Sequence, residues 1–226
     1  VLSSTQVGGL SSLQMSSLTT TQLGALQSTS IGLISTAQVK GLTTTQVGQL
    51  TTTQLAALST AQIKTLTTAQ LQGLTTTQLG ALTTTQVAGL TTAQLNSLTT
   101  TQVMGLAATS LAGLSTAQVK GMSSTQIGVL STTQLAGLSS TSVGVLTTLQ
   151  MRGLTTTQVV SLTTTQVGGL SSQQVKALTT TQMASMESTD LAVLTTTQVK
   201  ALSSGQVAVL DTAQLRGLTV TMVAAM

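Results

Sequence analysis

The sequence predicts an all-α repeat solenoid of short capped helices, with two eight-residue units in each 16-residue coil. Three observations predict it: an eight-residue repeat without insertions, a helix-start motif in each unit, and a regular difference between odd-numbered and even-numbered units. Loops normally tolerate changes of length, so a repeat this strict gives every residue of the unit a fixed place in a stacked structure.

The repeat begins at Leu2 and steps by eight residues to Leu218, which makes 28 units. The consensus is Leu-Thr-Thr-Thr-Gln-Val-x-small, and its eight positions are numbered here from the Leu. We expect residues 1–226 to form one continuous array. Because the chain begins and ends in mid-repeat, at Val1 and Met226, we also expect it to be a segment of a longer protein.

Ser or Thr at position two, followed by Gln at position five, is the capping box that satisfies orphan N–H groups at a helix N-terminus. The apolar residues at positions one and six have the spacing of a hydrophobic staple across the cap. Position eight is often Gly, which suits a left-handed residue at the end of a helix. Each unit is therefore predicted to be a helix of one to two turns followed by a sharp bend.

The ten charged residues follow the same pattern. Glu187 and Asp211 stand at position two and Asp190 at position five, near helix N-termini, where the helix dipole favours negative charge. The seven basic residues all stand at position seven, near the C-terminal end of the unit, and they are Lys40, Lys64, Lys120, Arg152, Lys176, Lys200 and Arg216.

A two-sided β-solenoid is the alternative fold. Thr and Val favour strands, and three successive Thr residues are poor helix formers. The apolar anchors, however, are alternately five and three residues apart, and the three-residue step joins two anchors on one helical face. This spacing favours short helices over strands.

Odd-numbered and even-numbered units differ in two ways. Gly occupies position eight mainly in odd units, as at Gly73 and Gly89, whereas the five departures from Gln at position five all lie in even units, at Ser30, Ser110, Ser142, Asp190 and Met222. The simplest geometry is a 16-residue coil with one unit on each side, in which Gly marks a tight turn or the close approach of a neighbour. An ancestral 16-residue duplication is the alternative explanation.

The composition argues against most chemistry. With no His and no Cys, the common nucleophile and base pairs are missing, so we predict no catalytic, cofactor or metal site. Glu187 and Asp190 come nearest to a paired-carboxylate or metal site, and acidic cap residues explain them better. A net charge of +4 without aromatic residues argues against nucleic acid, and no apolar run is long enough for a membrane span.

Arrays of Leu-Thr-Thr-x-Gln-Val-x-x-Leu, which fill this chain, resemble stretches of very large surface or adhesin-like proteins of proteobacteria. The resemblance implies an extracellular or cell-surface location and a structural or adhesive role. We therefore expect a non-enzymatic protein that forms a filament, fibre or adhesin stalk by coil stacking and self-association. The alternative is a binding module whose Ser/Thr rows hold ice, polysaccharide or another repetitive ligand.

Overall fold

The computed structural model describes residues 2–218, and within them all regular secondary structure is helical. Each helix has five or six residues, and one helix follows the next every eight residues. The predicted all-α repeat solenoid is thus confirmed, and the β-solenoid is wrong. The unit that begins at Leu218, including Met222, lies almost wholly outside the described residues.

The helices of residues 2–218 are numbered in chain order, so that each carries the number of its repeat unit. Their bounds are α1 Ser4–Gly8, α2 Ser12–Ser17, α3 Thr20–Gly24, α4 Ser28–Gly32, α5 Thr36–Gly41, α6 Thr44–Gly48, α7 Thr52–Ala57, α8 Thr60–Thr65, α9 Thr68–Gln72, α10 Thr76–Gly80, α11 Thr84–Ala88, α12 Thr92–Ser97, α13 Thr100–Met104, α14 Ala108–Ala112, α15 Thr116–Gly121, α16 Ser124–Gly128, α17 Thr132–Ala136, α18 Ser140–Gly144, α19 Thr148–Gly153, α20 Thr156–Val160, α21 Thr164–Gly168, α22 Ser172–Ala177, α23 Thr180–Ser185, α24 Ser188–Ala192, α25 Thr196–Lys200, α26 Ser204–Ala208 and α27 Thr212–Gly217.

The contacts within the chain divide it into two compact units, Val1–Leu114 and Ser115–Met226. The helices from α1 to α14 lie in the first unit and those from α15 to α27 in the second. Both units repeat the same local geometry and the same rule of helix packing, which the following paragraphs describe within each unit.

The predicted capping box and hydrophobic staple are both present, as α6 illustrates. The hydroxyl of Thr43 accepts a hydrogen bond from the backbone N–H of Gln46 at 3.1 Å, and Oε1 of Gln46 accepts one from the N–H of Thr43 at 2.8 Å. The staple residues Leu42 and Val47 are buried, with 4% and 0% of their surface exposed. Positions one and six therefore form the core, as the sequence predicts.

The predicted left-handed residue at the helix end is wrong. Within residues 2–218 no residue has a positive φ, and the terminal Gly73 has φ −73° and ψ −12°, in the right-handed helical region. The chain then passes into the next N-cap residue, which is extended, as in Thr75 with φ −74° and ψ 162°. The bend between helices thus uses ordinary backbone conformations, and Gly at position eight needs another explanation.

The 16-residue coil is also wrong, because it would pack each helix on the second helix after it. Within both units the main helix contacts join helices three places apart, such as α2 with α5, α6 with α9, α16 with α19 and α22 with α25. Hydrogen bonds described below join helices four places apart, so one turn of the solenoid holds between three and four units. Without a left-handed residue to reverse the chain, each bend turns it by less than the half-circle that a two-sided coil requires.

The alternation of odd and even units comes from a close contact between helices in successive turns. A Cβ atom at Gly48, in α6, would lie 2.7 Å from the carbonyl oxygen of Gly73, and one at Gly73 would lie 2.6 Å from Cγ2 of Thr44. Because three is an odd number, helices that meet three places apart are one even and one odd, and the closest Gly contacts, as in α6 with α9, α10 with α13 and α16 with α19, join an even-numbered helix to the odd-numbered helix three places later. The expectation that Gly marks the close approach of a neighbour is confirmed, and the 16-residue period needs no 16-residue coil.

Gly105→Ala should destabilise the protein by about 1–3 kcal/mol, because the new methyl group would lie 2.8 Å from Cβ and 3.0 Å from the backbone of Thr76. Gly24→Ala is the matched control, since its methyl group meets nothing within 4 Å. This substitution only reduces the conformational freedom of the unfolded chain, so it should raise the free energy of unfolding by about 0.5–1 kcal/mol. Urea unfolding followed by circular dichroism measures both changes. Equal effects of the two substitutions would contradict the close-contact explanation.

Candidate functional site

The Gln at position five forms the central polar site of each turn. Oε1 of Gln38 accepts the N-cap N–H of Ser35 at 2.6 Å, as the capping box requires. The other end of the same amide points away from its own helix, and Nε2 donates to the carbonyl oxygens of Val7 at 2.8 Å and Leu10 at 2.7 Å. These acceptors lie 31 and 28 residues earlier, at the C-terminal end of α1, so Gln38 joins helices four places apart.

The same arrangement recurs along both units. In the first unit Nε2 of Gln86 donates to the carbonyl oxygen of Leu55 at 2.9 Å and to that of Leu58 at 2.6 Å. In the second unit Nε2 of Gln174 donates to Val143 at 2.8 Å and to Leu146 at 2.9 Å. We call this series of buried position-five amides the glutamine row.

The glutamine row explains how such short helices are closed at both ends. The last carbonyl groups of a helix have no partner within the helix, and the preferred left-handed cap is absent from the described residues. A Gln of the row, such as Gln86 or Gln174, caps its own helix N-terminus and supplies an amide donor to the C-terminal end of the helix four places earlier. Both ends of the helix are thus satisfied without a longer helix or a special backbone conformation.

The capping half of this interaction is predicted by the sequence motif, whereas the donor half is seen only in the structure. One signal was present: a capping box accepts Glu as readily as Gln, yet Glu never occurs at position five. A carboxylate would cap the helix but would have no N–H to donate. Position five holds Gln in 23 of the 28 units and a carboxylate only at Asp190, which fits a position that needs the amide donor as well as the acceptor.

The departures from Gln interrupt the row. Ser30, Ser110 and Ser142 are buried, but Ser is too short to span the distance that the Gln side chain covers. Helix α14, which contains Ser110, also lacks a side-chain cap because Ala107 occupies its N-cap. These units therefore contribute less than the others to the cohesion between turns.

The two acidic residues with the spacing of a possible metal pair lie at α24, with Glu187 as its N-cap residue and Asp190 in its first turn. Asp190 occupies the Gln position and has 3% of its surface exposed, whereas the N-cap residue Glu187 is exposed and makes no side-chain cap. Burial raises the pKa of Asp190, the nearby carboxylate of Glu187 raises it further, and the hydrogen bond from the backbone of Glu187 opposes both. Within residues 2–218 no three potential metal ligands of the His, Cys, Asp or Glu type lie together.

The other charges lie where the sequence predicts. The carboxylate of Asp211 caps α27 by accepting the backbone N–H of Gln214 at 2.7 Å. The seven basic side chains of position seven are exposed at the ends of their helices. No helix within the described residues has the length and apolar character of a membrane span.

The fold and the glutamine row define the class of this protein as an α-helical tandem repeat solenoid. The family comparison is consistent with this class: segments 52–84, 76–108, 104–140, 143–180, 156–187 and 183–220 match the ALTTAQ repeat. The matched segments cover well over half of the chain, which therefore belongs to the ALTTAQ repeat family. No curated protein matches the sequence significantly.

Gln86→Ala should lower the free energy of unfolding by about 1–3 kcal/mol, because it removes the Gln donor from the buried carbonyl of Leu58 and one of the two donors from that of Leu55, which keeps the N–H of Leu58. Gln22→Ala is the control, because Gln22 is exposed, caps its helix in the same way, and shows no bond to an earlier helix. This substitution should therefore lower the free energy of unfolding by only about 0.5–1 kcal/mol. Chemical denaturation of both variants measures the difference. Equal losses would mean that Gln acts only as a cap.

Asp190→Gln should stabilise the protein and reduce its dependence on pH. Because the pKa of Asp190 is raised in the folded state, its contribution to stability is present below about pH 4 and is lost as the pH rises through the folded pKa. Above the pH at which Asp190 loses its proton, the substitution should raise the free energy of unfolding by about 1–3 kcal/mol, because a neutral amide can donate hydrogen bonds as the other Gln side chains of the row do. Thermal unfolding between about pH 3 and pH 8 measures this, and Ser110→Gln, which adds the same amide without removing a charge, is the control. Parallel pH profiles of wild type and Asp190→Gln would contradict the prediction.

Proposed function

We propose that the chain is a non-enzymatic structural repeat protein, outside the cell or on its surface, that builds a filament, fibre or adhesin stalk by stacking and self-association. The glutamine row is the observation that carries this proposal. In the units of the row the Gln side chain is buried between turns and donates to a helix of the preceding turn, as Gln46 and Gln150 do. These side chains therefore hold successive turns together. The repeat itself is then the working part of the molecule.

The exposed positions of the repeat support the proposal. Positions one, five and six are buried, and the exposed positions hold mainly Ser, Thr, Ala and Gly. Only 4% of all residues are charged. Since charge keeps proteins soluble and separate, a surface of small residues with so few charges allows neighbouring chains to approach closely.

The alternative of Ser/Thr rows that hold ice is less well supported. The hydroxyl at position two already accepts a hydrogen bond from its own helix, as in Thr83 and Thr163, which leaves less of its hydrogen-bonding capacity for a ligand. Packed helices also lie about 8–10 Å apart. Strands would have repeated the Thr rows at about 4.7–4.9 Å, the closer spacing on which the ice hypothesis depended.

Electron microscopy of the purified protein alone tests the proposal. We expect ordered fibres or lateral arrays that grow with protein concentration, and analytical ultracentrifugation should show the same growth in solution. A monomer that stays dispersed at high concentration, and becomes ordered only after ice or a glycan is added, would overturn the structural proposal in favour of the binding module.

A pair of triple variants controls for unfolding. Ala112, Ala136 and Val160 are exposed at position seven, so lysine at all three positions should keep the helical circular dichroism spectrum while charge repulsion disperses the fibres. Serine at the same three positions should keep both the fold and the fibres. Fibres that survive the lysine variant unchanged would show that these faces take no part in assembly.

A further inference from the structure

The basic residues of the second compact unit, Ser115–Met226, are not spread evenly around the solenoid. Lys120, Arg152, Lys176 and Lys200 lie at position seven of α15, α19, α22 and α25, and all four are exposed. These helices are four, three and three places apart, which are the separations of helices that touch in successive turns. We call the four residues the basic stripe.

Contacts between the turns establish that the stripe is continuous. Gln150 of α19 donates to the carbonyl oxygen of Lys120 itself at 3.3 Å, two residues before Arg152. Nε of Arg152 donates to the carbonyl oxygen of Ala177 at 3.3 Å, next to Lys176. Helix α22 then packs against α25, which ends at Lys200. One cation thus follows another from turn to turn.

The acidic residues lie elsewhere on the unit. None of the four stripe helices contains Asp or Glu, and the unit's three acids, Glu187, Asp190 and Asp211, belong to α24 and α27 or their N-caps. Those two helices pack against each other. The remaining cation, Arg216, lies on α27, so no carboxylate neutralises the stripe from its own helices.

A hydroxyl group accompanies each cation of the stripe. Four residues before each basic residue, and therefore on the same helical face, is a Ser or Thr at position three. These residues are Thr116, Thr148, Ser172 and Thr196. The face therefore repeats one cation and one hydroxyl group in each turn, at the spacing of packed helices, about 8–10 Å.

We propose that the basic stripe binds a linear acidic polysaccharide, one whose carboxylates are separated by two sugar rings. The sparse cations suit widely spaced anions, and the hydroxyl groups suit sugar hydroxyls. Duplex DNA carries a charge about every 1.7 Å, far denser than the stripe, and the chain has no aromatic residue on which single-stranded bases could stack. The proposal does not depend on self-association.

Hyaluronan, with one carboxylate in each disaccharide, is the probe, and uncharged dextran is the control polymer. Affinity electrophoresis at low salt, at protein concentrations where sedimentation finds monomers, should show binding to hyaluronan alone and weakening as salt screens the charges. Replacing all four stripe residues with Gln, the residue found naturally at position seven in Gln72, should weaken binding more than tenfold (about 1.4 kcal/mol).

The matched pair is Lys176→Gln and Arg216→Gln, which remove the same charge from position seven on and off the stripe. We expect about a two- to fivefold loss for Lys176→Gln and less than about twofold for Arg216→Gln, with unchanged circular dichroism. Equal losses for the pair, no binding of hyaluronan at low salt, or tighter binding of duplex DNA would each overturn the proposal. Binding only to a second copy of the chain would also overturn it.

Discussion

The two-ended hydrogen bonding of the position-five amide is the interaction on which the rest of the structure depends. A helix of five or six residues leaves most of its backbone donors and acceptors without partners inside the helix. Gln46 shows how both deficits are met: its oxygen caps α6, and its nitrogen donates to the carbonyl oxygens of Met15 at 2.9 Å and Leu18 at 2.7 Å at the end of α2. Helices too short to persist alone become stable as members of a stack.

This constraint also limits what the protein does. Because most repeat units use their Gln, their cap and their two apolar anchors to hold neighbouring units, most of the variation lies at positions three, four, seven and eight. The basic residues appear only at position seven, and Gly at position eight follows the close contact with the helix three places earlier. The proposed self-association and the proposed polysaccharide-binding stripe both use these variable positions.

Most of the local structure could be predicted from the sequence, because capping and staple signals act within one unit. Thr43, Gln46, Leu42 and Val47 have the roles that their spacing predicts. The number of units per turn could not be predicted, because it depends on small bend angles that no single residue encodes. Gly48 stands at position seven of an even-numbered unit and Gly73 at position eight of an odd-numbered unit, because the two meet in a contact between units three places apart. In the sequence this difference between odd and even units has the same 16-residue period that a two-unit coil would produce. The donor role of Gln was within reach, since position five holds Gln in 23 of the 28 units and a carboxylate only at Asp190.

Disulfide formation between introduced cysteines tests most directly that turns meet at three to four units, and the chain has no cysteine of its own. Nε2 of Gln72 lies 2.7 Å from the carbonyl oxygen of Ser97, which is 25 residues later. Because Gln72 ends α9 and Ser97 ends α12, two helices that pack against each other, cysteines at these positions should form a disulfide under mild oxidation, whereas residues with Cα atoms more than about 7 Å apart cannot be bridged. Cysteines in place of Gln72 and Ala88, which are 16 residues apart and equivalent in a two-unit coil, should remain reduced. A disulfide in the second pair and none in the first would contradict the structure described here.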